Sequence, residues 1–313
     1  MPTYTSHVTT LSIVIPATDA PGHLDRVVAA IRAATLDGDE IIVIEEPSGL
    51  GPAGARNAGA NGAAGEVLVF VDSDVVIARD ALDRIREAFD NDPGLSAIFG
   101  SYDDDPPNGG LVSDFRNLLH HFVHHEGAGP AATFWAGLGA VRSDVFRSTG
   151  GFDERRFPHP AVEDIEFGMR LSRRGEQVLL DPEIQGKHLK RWTLLSMVQT
   201  DLLRRGVPWL ELVLERRGES LGLNLAPRHR VATVAAVSLV AGLVRRDARI
   251  VAGAISVILV SDRRFYLMLR RRRGTAFAVA AFPVHLVHRL TSAVAIPIAV
   301  FRLFRRREEN PAD

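Results

Sequence analysis

Short β-rich apolar runs that alternate with stretches of helical spacing restrict this chain to an α/β architecture. LSIVI at 11–15 ends at Pro16, and apolar positions at helical spacing follow from His23 to Ala34. IIVIEE at 41–46 precedes a Gly/Ala-rich helical stretch from Pro52 to Ala63, and EVLVFVDSD at 66–74 precedes a helix over 80–90. The run LSAIFG at 95–100 extends the unit, after which YDDDPPNGG reads as an exposed loop. Such alternation implies a parallel sheet with ligands at the strands' carboxyl ends, and the α/β core is expected to reach residue 190 or so.

Charge divides the chain a second way. The net charge of -1 conceals 17 basic and 30 acidic side chains over 1–203, against 20 and 8 over 204–313, where every basic residue is Arg. Arginine clusters alternating with charge-free apolar runs point to a membrane surface; interleaved aromatic and base-reading Arg residues are absent, so no nucleic acid is expected. A hydrophobic content of 46% excludes disorder. The absence of cysteine excludes disulfides, thiolate zinc sites, iron–sulfur clusters and a cysteine nucleophile, and fits the cytoplasm. The first ten residues lack the basic start and apolar stretch of a signal peptide, so the catalytic part is expected at the cell membrane, facing the cytoplasm.

Three segments follow: a catalytic domain at 1–191, amphipathic interfacial helices at 192–228, and a helical membrane-associated region at 229–313. From Trp192 to Glu215, Leu194, Leu195, Val198, Leu202 and Leu203 keep helical spacing beside Arg204 and Arg205, as in an interfacial helix or a soluble packing helix. The uncharged runs 231–244 and 250–260 are shorter than the roughly 20 residues a span needs. They suit a shallow or re-entrant hairpin with Arg245, Arg246 and Arg249 at one interface. Residues 274–301 carry a single charge, Arg289, and are long enough to span; Pro283, Pro297, His285 and His288 also leave a buried core helix open. Arg270 to Arg273 would lie on the cytoplasmic side.

Chemistry concentrates at a few positions. Asp72 and Asp74 stand where the third strand ends, so two carboxylates one residue apart enter the crevice and suit a hard cation with substrate phosphate, although Asp-Ser-Asp also closes turns. GPAGARNAGA at 51–60 places Arg56 to reach phosphate or brace those aspartates. GLGAVRSDVFRSTGGFDE at 137–154 leads to EDIEFGMRL, where Glu163 and Asp164 open a helix after Pro160. His188 in GKHLKRW suits either a metal ligand or a surface position beside Lys187 and Lys190. In HHFVHH at 120–125 the i,i+4 pairs have zinc-binding spacing but no third ligand, which favours a structural or substrate-side helix. Trp135 in FWAGLGAVR suits a stacking floor for a ligand, or the core.

Together and in this order, SIVIPA at 12–17, the ARN of GPAGARNAGA, VDSD, GGFDE and the Glu163–Asp164 pair resemble a membrane-associated bacterial family 2 glycosyltransferase of the GT-A fold. The resemblance covers residues 11–192 or so and implies a Rossmann-like, mostly parallel sheet flanked by helices, followed by a helical membrane-associated region. It also implies inverting transfer of one sugar from a nucleotide-diphosphate sugar, UDP- or GDP-linked, with Mg2+ or Mn2+. By position, Pro16, Ala17, Thr18, Glu45, Arg56, Asp72 and Ser73 resemble donor-binding residues, and Asp74 with Asp72 and His188 the metal site. Asp164, with Glu163, resembles the catalytic base. Trp135, Gly137, Lys190 and Arg191 fall on the acceptor side. The chain departs from the family in the four residues between Glu46 and Gly51, where a helix and strand are common, and in Glu45, Glu46, Thr18 and Asp19, which affects the choice of base.

A carboxylate base suits a hydroxyl acceptor that is lipid-linked or delivered at the membrane, since a polyprenyl phosphate is already ionised and needs none. A polyprenyl-phosphate glycosyltransferase is the enzyme alternative, and an inactive nucleotide-binding membrane scaffold the alternative of another class.

Overall fold

The computed structural model describes residues 8–19, 22–215 and 227–309. They form two compact units, Met1–Pro107 with His124–Leu189, and Asn108–Val123 with Lys190–Asp313. Residues 108–123, expected within a 1–191 domain, thus belong to the second unit.

The first unit is built on one sheet. Its strands are β1 (Leu11–Pro16), β2 (Glu40–Ile44), β3 (Val67–Val71), β4 (Val75–Ile77), β5 (Leu95–Tyr102), β6 (Gly129–Pro130), β7 (Leu138–Arg142) and β8 (Gln177–His188). The order is β2-β1-β3-β7-β5-β8-β4, with β6 beside β8. β1, β3 and β5 are buried along their whole length, which is why they read as unbroken apolar runs.

The sheet is mixed where a mostly parallel one was expected. β1 runs parallel to β2 and β3, and β5 parallel to β8, but β7 enters antiparallel between β3 and β5, and β4 and β6 run antiparallel to β8. Apolar periodicity marks a strand without marking its direction, and β7 is reached from β5 through the helix Leu111–Glu126, the short strand β6 and the turns at 131–137.

Helices α1 (Leu24–Arg32), α2 (Pro52–Gly62) and α3 (Ala81–Asn91) fall where periodicity places them. α2 starts with Pro52 at a position that needs no N–H donor, and Gly59 lets it close on Val14 of β1, where any Cβ would collide with that side chain. After α4 (Leu111–Glu126), α5 (Ser143–Thr149) and α6 (Glu163–Arg173) complete the unit. Ile13, Ile15, Val69, Val71, Ile98 and Leu138 form the centre of its core.

In the second unit, α7 (Leu194–Gln199), a π-helical turn (Thr200–Gly206) and α8 (Val207–Glu215) take up the expected interfacial stretch. Met197 and Val207 are buried while Leu194, Leu195 and Leu203 stay exposed. Residues 216–226 of that stretch lie outside the described residues. The two short apolar runs form a hairpin of α9 (Pro227–Arg245) and α10 (Ala248–Ser261), turned by Arg246 at φ 56° and capped by Asp247, which accepts from the N–H groups of Arg249 and Ile250. α11 (Arg263–Arg273) and α12 (Thr275–Glu309) follow. Phe115, Leu118, Trp192, Phe265, Leu269 and Ala281 share one core cluster. Among the described residues α12 alone is long and apolar enough, by length and composition, to cross a membrane.

Candidate active site

The end of β3 turns sharply. Val75 N–H donates to Asp72 O at 2.9 Å and Asp72 N–H to Gly137 O at 3.0 Å, which fixes Asp72, Ser73 and Asp74 between β3 and β4. Gly137 is needed there, because a Cβ on it would strike the Trp135 indole.

Arg56 of α2 is 4% exposed and joins two carboxylates. Nη2 donates to Asp72 Oδ1 at 2.7 Å and Nη1 to Glu163 Oε1 at 2.9 Å, with the guanidinium carbon 5.6 Å from the Phe152 ring centre. The guanidinium is held more firmly charged by Asp72 and Glu163 against its burial. Burial and nearby Asp74 push the Asp72 carboxyl upward, with Arg56 opposing, although 31% of its side chain is accessible. Next to Arg56, Asn57 accepts from Phe152 N–H at 2.9 Å and donates to Phe152 O and Glu154 Oε2 at 2.8 and 2.9 Å. The ARN segment thereby clamps the GGFDE segment to α2.

Glu163 and Asp164, expected together as catalytic, have different surroundings. Glu163 Oε1 is taken by Arg56 and Oε2 accepts from Ala161 N–H at 3.0 Å, so it anchors the arginine. Asp164 accepts from Ala136 N–H at 3.2 Å and Ile165 N–H at 2.8 Å. Burial, with the Glu163 charge adding and Arg56 opposing, pushes its carboxyl up to about 6. Gly168, one turn along α6, allows this approach, since a Cβ there would meet the backbone of Thr133 and Phe134.

At the other edge, His188 Nε2 lies 3.4 Å from Asp74 Oδ2, and Leu189 N–H donates to Asp74 O at 2.8 Å. Tyr102 stacks on His188 at 4.3 Å between ring centres and 6° between planes, and meets Trp135 edge-on at 4.9 Å. Tyr102 was missed from the sequence; its only signal is an aromatic at the end of β5, just before the acidic loop.

The structure separates the remaining expectations. Pro16, Ala17 and Thr18 are buried at the end of β1; Ala17 N–H donates to Ile44 O and the Thr18 hydroxyl to Leu50 O, so they form a wall beside the loop after β2. Glu45 is exposed in that loop. Lys190 and Arg191 belong to the second unit, where Lys190 Nζ lies 4.4 Å from the Trp192 ring centre. His124 Nδ1 is 2.8 Å from Gly100 O, a structural contact.

Among the described residues no three His, Asp or Glu groups converge to hold a metal on their own. Asp74 with His188 offers a carboxylate and an imidazole, a donor pair that fits a divalent cation whose remaining positions are filled by substrate oxygens and water. Asp72 is committed to Arg56 through one oxygen.

Residues 22–149 match the family described as Glycosyl transferase family 2. No curated protein matches the chain. Among solved structures, the chain is similar to the mannosyltransferase PcManGT from Pyrobaculum calidifontis in complex with GDP-Man and Mn2+, with a TM-score of 0.56 and 17% identity over 88% of this chain and 86% of that one. A weaker likeness, TM-score 0.45 and 17% identity over 64% of this chain and 49% of that one, is to GalNAc-T7 with UDP, GalNAc and Mn2+. The first likeness shows the fold, which is GT-A.

Proposed function

We propose, from the match of residues 22–149 to Glycosyl transferase family 2, that this glycosyltransferase moves a single sugar, with inversion, from a UDP- or GDP-sugar to a hydroxyl of a lipid-linked or membrane-delivered acceptor. One observation carries this reading: Arg56, Asp72 and Glu163 form a buried link beside an Asp164 carboxyl raised to about 6, in the same unit as the Asp74–His188 pair. The GDP-Man and Mn2+ bound by PcManGT are consistent with it.

Asp72, held by Arg56, accepts from hydroxyls of the donor's ribose or sugar. Pro16, Ala17, Thr18 and Glu45 flank the base, and Trp135 with Gly137 lines the acceptor side. Asp74 and His188 would hold a divalent cation, Mn2+ or Mg2+, which when bound neutralises charge on the leaving diphosphate. Ionised Asp164 takes the acceptor hydroxyl's proton as the new bond to the anomeric carbon forms and the bond to the diphosphate oxygen breaks; attack from the opposite face inverts the centre. At pH 7 a group titrating near 6 is mostly ionised and still basic enough for this work.

The test is release of nucleoside diphosphate from UDP-, GDP- and dTDP-sugars by detergent-solubilised protein with membrane lipid extract, with Mn2+ or Mg2+ present or chelated. Release with one donor, dependent on lipid and on metal, is expected. Metal-independent release, or nucleotide binding without release across all donors and extracts, would overturn the reading.

A further inference from the structure

We propose that the second unit embeds in one face of an anionic lipid bilayer without crossing it, the α9–α10 hairpin lying along the surface with both ends of α12 on the same side. This rests on the membrane-delivered acceptor only for the presence of a bilayer.

Length is the first ground. The uncharged run 231–244 of α9 is 14 residues long, about 21 Å as a helix, and that of α10, 250–261, is shorter still. The hydrocarbon core is about 30 Å thick. Among the described residues only α12 has the length, and one ion cluster speaks against its crossing. Arg289, near the middle of its apolar window Thr275–Arg306, donates from Nη2 to Asp262 Oδ1 at 2.7 Å and from Nε to His285 Nε2 at 3.1 Å, and its Nη1 lies 3.2 Å from His229 Nδ1. His229 is in the first turn of α9 and Asp262 directly precedes α11. The starts of α9 and α11 therefore sit level with the middle of α12, and at those starts Arg230, Arg263 and Arg264 are exposed. At the same level His288 Nδ1 meets Asp201 Oδ2 at 2.7 Å, and Arg116 pairs with Asp201 at 2.9 Å. A crossing α12 would carry these three exposed arginines to the bilayer centre, where they are not tolerated.

The surface shows what the unit offers instead. On α9, Val231, Val234, Val237 and Val244 recur every three to seven residues on the exposed side, Val234 at 66% and Val244 at 78%, and Val257 and Val260 of α10 are exposed as well. Exposed Arg245, Arg246 and Arg249 sit at the hairpin turn. An apolar stripe edged by arginine, in a region with 20 basic and 8 acidic residues, complements acyl chains beneath anionic headgroups.

The chain has no cysteine, so single cysteines report position cleanly. Arg230→Cys, Arg245→Cys, Arg272→Cys and Arg305→Cys are labelled with a membrane-impermeant maleimide in sealed inside-out membrane vesicles. All four should react to the same extent before the vesicles are opened; a split between 230 and 245, or between 272 and 305, overturns the proposal. In a second measurement purified protein is floated with phosphatidylcholine vesicles with or without phosphatidylglycerol. Flotation should require phosphatidylglycerol and fall at least fivefold in the double variant Val234→Glu, Val244→Glu, whose exposed positions leave the helical circular dichroism unchanged. Flotation indifferent to both also overturns it. Neither readout uses turnover, so failure of the transferase reading and failure of this one are separate results.

Discussion

Burial and the Glu163 charge lift the Asp164 carboxyl to about 6, and two consequences of opposite sign follow. As the proposed base it works only when ionised, so kcat/KM should climb through pH 6 to a plateau; a pH–rate profile without that limb would remove Asp164 from the role. The same raised value means that the ionised form is less favoured in the fold than in the unfolded chain, so stability is lost as pH rises from 3.8 to about 6. Asp164→Asn should therefore melt no lower than the wild type at pH 7.5 while turning over far less. Arg56 behaves differently. Arg56→Ala leaves the Glu163 charge buried and unpaired and should destabilise by about 3–5 kcal/mol in denaturant titration. Arg56, Asp72 and Asp164 were legible as motif letters. The division of labour between Glu163 and Asp164 was not, because adjacent residues at a helix start point about 100° apart and only the packing shows which one meets Arg56. Nor was Tyr102, whose partner His188 lies 86 residues away.

Among elements, α6 has the tightest positional requirement. Its Gly168 lies against the backbone of Thr133 and Phe134, one turn from Asp164, and that contact sets the Asp164–Ala136 hydrogen bond. Gly168→Ala should cost about 1–3 kcal/mol by overpacking and lower kcat more than donor affinity, since the helix must retreat with its carboxylate. Calorimetric nucleotide binding together with turnover checks this; loss of binding with unchanged kcat would contradict it. Element identities were legible because β1, β3 and β5 are continuous apolar runs and α1 and α3 are amphipathic. The direction of β7 was hidden because its short run of buried positions reads the same either way.

Over the whole molecule, the charge division near residue 203 announced a second unit of different character, but not that residues 108–123 belong to it. An amphipathic helix shows that it has a buried face, not what buries it; for α4 the answer is Trp192, Phe265 and Leu269. The claim that ties the molecule together is proton removal by Asp164 during sugar transfer to a hydroxyl. The most direct test is single-turnover transfer of a radiolabelled sugar from the preferred donor into membrane lipid extract at pH 7.5, by wild type and by Asp164→Asn, with donor binding measured on both. Wild type should form labelled lipid, and the variant should bind donor equally yet transfer roughly 100- to 10,000-fold more slowly. Transfer by the variant at close to the wild-type rate would contradict the account and point to an acceptor that arrives already ionised.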